Sequence, residues 1–103
     1  MTEPGAKFDD GKSSWHLMPW DAVQGVVDVL DYGAKKYCAN GWQSVPDARN
    51  RYFSAAMRHV LARILGEHKD PESGLPHLAH AATNLLFLAW FDLHPCHQSG
   101  PQR

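Results

Sequence analysis

Leu75-Pro76-His77-Leu78-Ala79-His80-Ala81-Ala82-Thr83-Asn84-Leu85-Leu86-Phe87-Leu88-Ala89-Trp90-Phe91 is the stretch whose reading decides the fold. From Leu85 onward it is apolar almost all round, the composition of a buried helix rather than a surface one. Pro76 belongs in a first turn, where its missing N–H costs nothing. Pro95 blocks continuation, so a helix is expected from about Leu75 to Leu93. Two histidines enter the buried end of that helix, and burying such polar groups without partners costs roughly 2–7 kcal/mol. Metal or phosphate chemistry would supply the partners, and so would a structural hydrogen-bond network.

Working backwards, Gly66 is placed to end a preceding helix from about Asn50 to Leu65. Tyr52, Phe53, Ala56, Met57, Val60, Leu61, Ile64 and Leu65 form its apolar stripe. Asn40-Gly41 and the neighbourhood of Pro46-Asp47 mark a loop. Before it, Trp20, Val23, Val27, Leu30, Ala34 and Tyr37 recur at a spacing of three to four, the mark of an amphipathic helix. Gly33 weakens that helix by about 1 kcal/mol relative to alanine, so a break near Tyr32-Gly33 is expected. No strand-like alternation of any length and no internal repeat occurs. The expectation is an all-α fold of three to four helices in a single domain over 15–94. A flexible or ligand-ordered arm (1–14) precedes it and a polar tail (95–103) follows.

The bulk numbers restrict the function. With 103 residues the chain makes one modest core. The near-heptad seam of the first helix and the apolar belt of the third exceed what three short helices cover, so a homo-oligomer completing a larger bundle is expected. A formal net charge of −1 gives no electrostatic footprint for polymeric nucleic acid. The longest apolar run, Leu85–Phe91, is far short of the ~20 residues of a membrane span, and no signal peptide opens the chain. Cys38 and Cys96, two in all and far apart, read as free thiols in a reducing compartment. The expected location is the cytoplasm, that of the host if the protein is viral.

The chemistry concentrates around the two central helices. His77, His80 and Asn84 fall at i, i+3 and i+7, on one helix face. His59, Arg63 and Glu67 lie four apart and offer an opposing wall, and the intervening loop adds Asp70 and Glu72. Together these side chains can hold a divalent cation against a phosphate, with Arg58 or Arg63 neutralising charge. The competing reading of each is structural: histidines as caps or core hydrogen-bonding groups, Ser73 as a cap, the arginines as snorkelling side chains. His94-Pro95-Cys96-His97 has the look of a metal tract without a second cluster to complete it. Lys7-Phe8-Asp9-Asp10-Gly11-Lys12 can close over a polyphosphate through Lys7, Asp9 and Lys12, or be a solvated tail. It lacks the Gly-to-Lys-Ser/Thr spacing of a phosphate loop. Lys35 and Lys36, among aromatics that include Trp42, suit base stacking with phosphate neutralisation; two lysines at a helix C-terminus also suit its dipole.

Taken together, Lys7–Lys12, Leu17, Pro19, Tyr32-Gly33-Ala34-Lys35-Lys36-Tyr37 and Trp42 resemble the phage dATP/dGTP diphosphohydrolase N-terminal domain family. So do Arg51-Tyr52, Ala55-Ala56, Arg58-His59, Gly66-Glu67 and the long block Asp70–Ala81. The match runs over residues 7–92. It implies kinship with the MazG-like all-α nucleoside triphosphate pyrophosphohydrolases. Those enzymes hold Mg²⁺ through ExxE and ExxD carboxylates while water splits a triphosphate into monophosphate and pyrophosphate. Aligned on Leu85–Ala89, the ExxD positions here carry His77 and His80, and His59 and Ala62 stand where ExxE would fall. Imidazole suits Mn, Fe, Co or Zn better than Mg²⁺. Either the metal has changed, or Glu67, Asp70 and Glu72 supply the acids, or nucleotide is bound without hydrolysis.

The expectation is a metal-dependent nucleoside or deoxynucleoside triphosphate hydrolase. His59, His77 and His80 are its metal ligands, with Mg or Mn foremost and Zn, Fe or Co as alternatives. Glu67, Asp70 and Glu72 are the catalytic acids. Lys7, Asp9, Lys12, Lys35, Lys36, Trp42, Arg58 and Arg63 contact substrate. The alternative is a nucleotide-sequestering protein without catalysis, for example one directed against a host nucleotide signal.

Overall fold

A computed structural model describes residues 10–97. Three α-helices carry the fold: α1 (Trp20–Lys36), α2 (Ala48–Ile64) and α3 (His77–Leu93). Each has 17 residues, about 25 Å at 1.5 Å per residue. Short 3-10 turns at Trp15–Leu17 and Gly41–Ser44 precede α1 and α2. The all-α expectation holds.

The central helix is α3, with α2 along one side and α1 along the other. Pairings between His59 and His77, Tyr52 and Phe87, and Arg49 and Asp92 step down one helix as they step up the other, so α2 and α3 run antiparallel. Along α1, Gly25 sets its backbone against α3, where an added Cβ would lie 3.3 Å from that of Ala79. Among the described residues the buried apolar ones are few and, Phe91 aside, small: Val29, Ala48, Ala56, Ala79, Ala81 and Phe91.

Helix ends depart from the sequence expectation in ways the local chemistry explains. The break near Tyr32-Gly33 does not occur; α1 runs to Lys36, and Tyr37 N–H donates to Gly33 O at 2.9 Å. One helical glycine costs only about 1 kcal/mol, less than the cooperative loss of the following turn. Two residues earlier than expected, α2 starts at Ala48, entered from Asp47 in the left-handed region at φ 54°, which a short polar side chain tolerates. Its end is a Schellman motif: Glu67 N–H bonds Ala62 O at 3.0 Å and Gly66 N–H bonds Arg63 O at 3.1 Å. Gly66, at φ 106°, supplies the left-handed residue this closure needs. Pro76 proves to be the N-cap of α3 rather than a first-turn residue.

Between α2 and α3 the chain makes a closed loop rather than a free one. Asp70 N–H donates to Leu75 O at 2.8 Å, Gly74 N–H to Asp70 O at 2.7 Å, and His77 N–H to His68 O at 2.9 Å. Gly74, at φ 75°, turns the chain at the tip. This rung-by-rung closure fixes Glu67, Asp70, Glu72 and Ser73 relative to the first turn of α3.

Candidate metal centre and groove

His59 comes from the last turns of α2 and His77 is the first residue of α3, and their Nδ1 atoms lie 2.8 Å apart. His77 is buried, and its other ring nitrogen, Nε2, donates to Glu67 Oε1 at 2.7 Å. With Nε2 protonated, a neutral His77 turns a lone pair on Nδ1 toward His59. Asp70 completes the group: one donor atom from each of His59, Asp70 and His77 lies within 4.8 Å of the others. Donors around one tetrahedral first-row ion are about 3.3 Å apart, so seating it would part the two imidazole nitrogens by about 0.5 Å and adjust Asp70 to match.

His80 adopts a different role from its neighbour at i−3. Its ring stacks face to face on His59, centroids 4.6 Å apart and planes 11° apart. The Ser73 hydroxyl accepts from Leu75 N–H at 3.1 Å and is hydrogen-bonded with His80 Nε2 at 2.7 Å. Tyr32 of α1 meets the same ring edge-on at 6.3 Å. Asn84, one turn on, donates to His80 O at 2.9 Å.

The electrostatics favour neutral rings beside an ionised carboxylate. Burial holds His59 below the usual histidine range, and the nearness of His80 and His77 adds to the effect. Burial likewise lowers His80, although Asp70 partly offsets it. For Asp70, burial pushes the carboxyl up, but the bonds from Ser73 and the neighbouring histidines outweigh it and hold it low. Its Oδ2 accepts from Ser73 N–H at 3.0 Å. For His59 and Asp70, both shifts run toward the unprotonated form that a cation requires.

A groove of about 1490 Å³ opens between α1 and α2 with α3 as its floor. His59, Asp70, His80, Glu72, Lys36, Arg58 and Asn84 line it together with Trp42 and Trp90. Glu72 straps the loop to α1, bonded by both Lys36 Nζ and the Tyr32 hydroxyl. That pairing pulls the Glu72 carboxyl down and drives the Lys36 ammonium up, so the two are charged together.

The residues singled out in the sequence therefore divide. The structure brings together His59, His77, Asp70 and Glu67, with His80 stacked beside them. Glu72 and Lys36 spend their charges on each other at the rim. Arg58 and Trp42 line the groove, whereas Lys12, Lys35 and Arg63 do not. Trp42 stacks on Phe87 at 4.3 Å and 8° and meets Trp90 edge-on at 5.0 Å, so it builds part of the groove's apolar lining. Lys7 and Asp9 lie outside the described residues. His94 stacks on Trp90 and bonds its carbonyl, and His97 bonds Gln43 O at 2.7 Å; both are absorbed in packing. Cys38 and Cys96 are free and exposed. No described helix is long and apolar enough to cross a membrane.

Sequence reasoning missed the parts played by Ser73 and Tyr32. Ser73 lies in the loop before α3, so loop closure rather than helical spacing brings it to His80. Tyr32 reaches its partners from a distant element, for which the sequence carries no signal.

Comparison with known proteins gives two matches. A family model described as "dATP/dGTP diphosphohydrolase, N-terminal" matches residues 2–99. A protein of Salmonella phage PMBT28 named "dATP/dGTP diphosphohydrolase" is 38% identical over 86 residues, which cover 84% of this chain and 29% of that protein. The chain thus spans less than a third of that relative's length. No solved structure matches.

Proposed function

The chain belongs to the dATP/dGTP diphosphohydrolase N-terminal family, and on that premise we propose that it binds and hydrolyses a purine nucleoside triphosphate with a divalent metal ion. The observation that carries the reading is the convergence of His59, Asp70 and His77, the first two of which line a nucleotide-sized groove. Small-ligand pockets commonly occupy ~300–1,000 Å³, so the groove has room for a nucleotide and its hydration.

The donor set fits a first-row transition ion. Two imidazoles and one carboxylate suit Mn, Fe, Co or Zn and leave coordination positions open, whereas Mg²⁺ favours an oxygen shell. A bound ion supplies Lewis-acid polarisation of a phosphoryl oxygen and favours ionisation of water. The residues around it do the rest. Glu67 fixes the tautomer and orientation of His77, the part a carboxylate plays behind a ligating histidine. Arg58 offsets phosphate charge in the groove, while Glu72 and Lys36 hold the loop against α1. Asp70 is placed as a ligand rather than as a free base. His80 lines the groove, and with its Nε2–H held by Ser73 it keeps the Nδ1 lone pair for the proton of attacking water. In the proposed reaction the water oxygen bonds to the α-phosphorus as the bridging bond to the β-phosphate breaks. Monophosphate and pyrophosphate leave, and the proton passes to the base.

The test is incubation of the 103-residue chain with dATP, dGTP, ATP and GTP, each with Mn²⁺, Mg²⁺, Zn²⁺ or Co²⁺. Monophosphate and pyrophosphate in equal amounts are expected, most rapidly with a transition ion. No turnover under any pairing sinks the hydrolase reading.

One observation favours a second reading, sequestration without hydrolysis. His77 and His80 stand where the resembled enzymes carry acids, and Glu72 is consumed by Lys36. Tight calorimetric binding, with intact nucleotide recovered after heat denaturation, would support it over catalysis.

A further inference from the structure

Among the described residues, the packed pair α2 and α3 carry the same spacing of apolar residues on a shared side that no described element covers. Along α2, Phe53, Met57, Val60 and Ile64 are separated by four, three and four residues. Phe53, Met57 and Ile64 are 55%, 42% and 72% exposed, because α2 packs on α3 through its other side, with Ala56 and His59. Along α3, Leu78, Ala82, Leu85 and Ala89 repeat the four-three-four spacing. Leu78 and Leu85 are about half exposed, and Ala89 is exposed as well. Such a spacing is the seam of helices packed knobs into holes. The two stripes are complementary in size: large side chains on α2, alternating leucine and alanine on α3. Neither includes a charged residue.

We infer that this face is the dimer interface of the protein, with α2 of each copy laid along α3 of a second copy to make a four-helix bundle. A two-fold axis brings both pairings about at once, since each copy offers one stripe of each kind. The partial exposures leave on the order of 700 Å² of apolar surface per copy, close to the ~800 Å² per partner of a standard stable interface. Monomeric proteins rarely leave contiguous apolar patches beyond about 300–600 Å² uncovered. Arg58, His59, Asp70 and His80 lie off both stripes, and of the stripe residues Ala89 alone also lines the groove, so the two surfaces are largely separate.

Sedimentation and light scattering of the full chain test the inference. The expected mass is twice the 11.5 kDa of one chain. Met57→Glu is expected to weaken association at least ~100-fold, because the interface would bury an unpaired carboxylate. In the monomer the same position is half-open to water, so the helix content should survive. Leu85→Glu makes the same test from the other stripe, and circular dichroism of both variants checks folding. A wild-type chain that stays monomeric at ~100 μM overturns the inference and assigns the face to another protein or another segment. Dimers that persist in both folded variants overturn it too, by placing the interface elsewhere.

Discussion

The tightest constraint at the residue scale is the chain of contacts Glu67–His77–His59. Glu67 is half exposed while His77 is buried, so the carboxylate reaches in from the surface to hold the inner ring's proton. Loss of such a partner behind a ligating histidine typically weakens metal affinity 10–100-fold. Glu67→Gln is expected to show that loss for Mn²⁺ or Zn²⁺ by calorimetry with little change in helix content. His77→Ala is expected to abolish the binding. Unaltered affinity in both variants would remove these residues from any metal centre.

A second residue reports on packing rather than chemistry. Tyr52 donates its hydroxyl to Trp42 O at 2.8 Å, and burial pushes its pKa up to about 12. The unfolded chain releases that proton near 10, so the folded state binds more protons between these values. The stabilisation is complete below about pH 10 and lost as pH rises toward 12. Melting temperature is therefore expected to fall through that window, and Tyr52→Phe to flatten the fall. An unchanged slope in the variant would place the titration elsewhere.

At the scale of elements, glycines separate local propensity from tertiary demand. Gly33 lies within α1 and nothing would meet an added Cβ within 4 Å. Gly33→Ala should stabilise the protein by about 0.5–1 kcal/mol. Gly74 sits at φ 75° at the tip of the loop that sets Asp70 and Ser73, where a side chain strains the backbone by about 1 kcal/mol or more. Gly74→Ala is expected to lower the denaturation midpoint and weaken metal binding together. Urea titration of both variants gives the two signs, and matching signs would contradict this account.

The elements also show what sequence patterns can carry. Periodicity finds α2 and α3, and the signals at Gly66 and Pro76 place the ends of the loop between them, because capping chemistry is local. Gly33 misleads for the same reason: its propensity is local, whereas the continuity of α1 depends on cooperative turns and on the strap through Tyr32, Lys36 and Glu72. Histidines at i and i+3 mark a shared face, but the pattern does not say that His77 turns toward His59 and Glu67 while His80 turns to Ser73. Those directions follow from the loop closure.

At the scale of the whole molecule, the described residues bury Val29, Phe91 and four alanines as apolar core, a thin one for a domain. Stability should accordingly depend on what the chain binds. Saturating an ion at 100 times its dissociation constant adds about 2.7 kcal/mol, so the melting temperature is expected to rise with added Mn²⁺ or Zn²⁺ and to fall again with chelator. Scanning calorimetry with and without the ion checks it; a melting temperature indifferent to every divalent ion would argue that the histidine cluster is structural only.

By itself the sequence determined three helices, the closed ends of α2 and α3, and the family, because hydrophobic spacing, capping residues and motif identity are properties of neighbours along the chain. Only the tertiary structure decided which histidine faces which partner, that Glu72 and Lys36 neutralise each other, and which helix faces stay uncovered. Each of these depends on groups far apart in sequence meeting at hydrogen-bond or contact distance. The apolar excess was legible on α1 and α3, where Trp20, Val27, Leu30, Leu78 and Leu85 are exposed, and the structure adds a third exposed stripe on α2. Spacing names a face without saying what occupies it; the packing of α2 and α1 on opposite sides of α3 does.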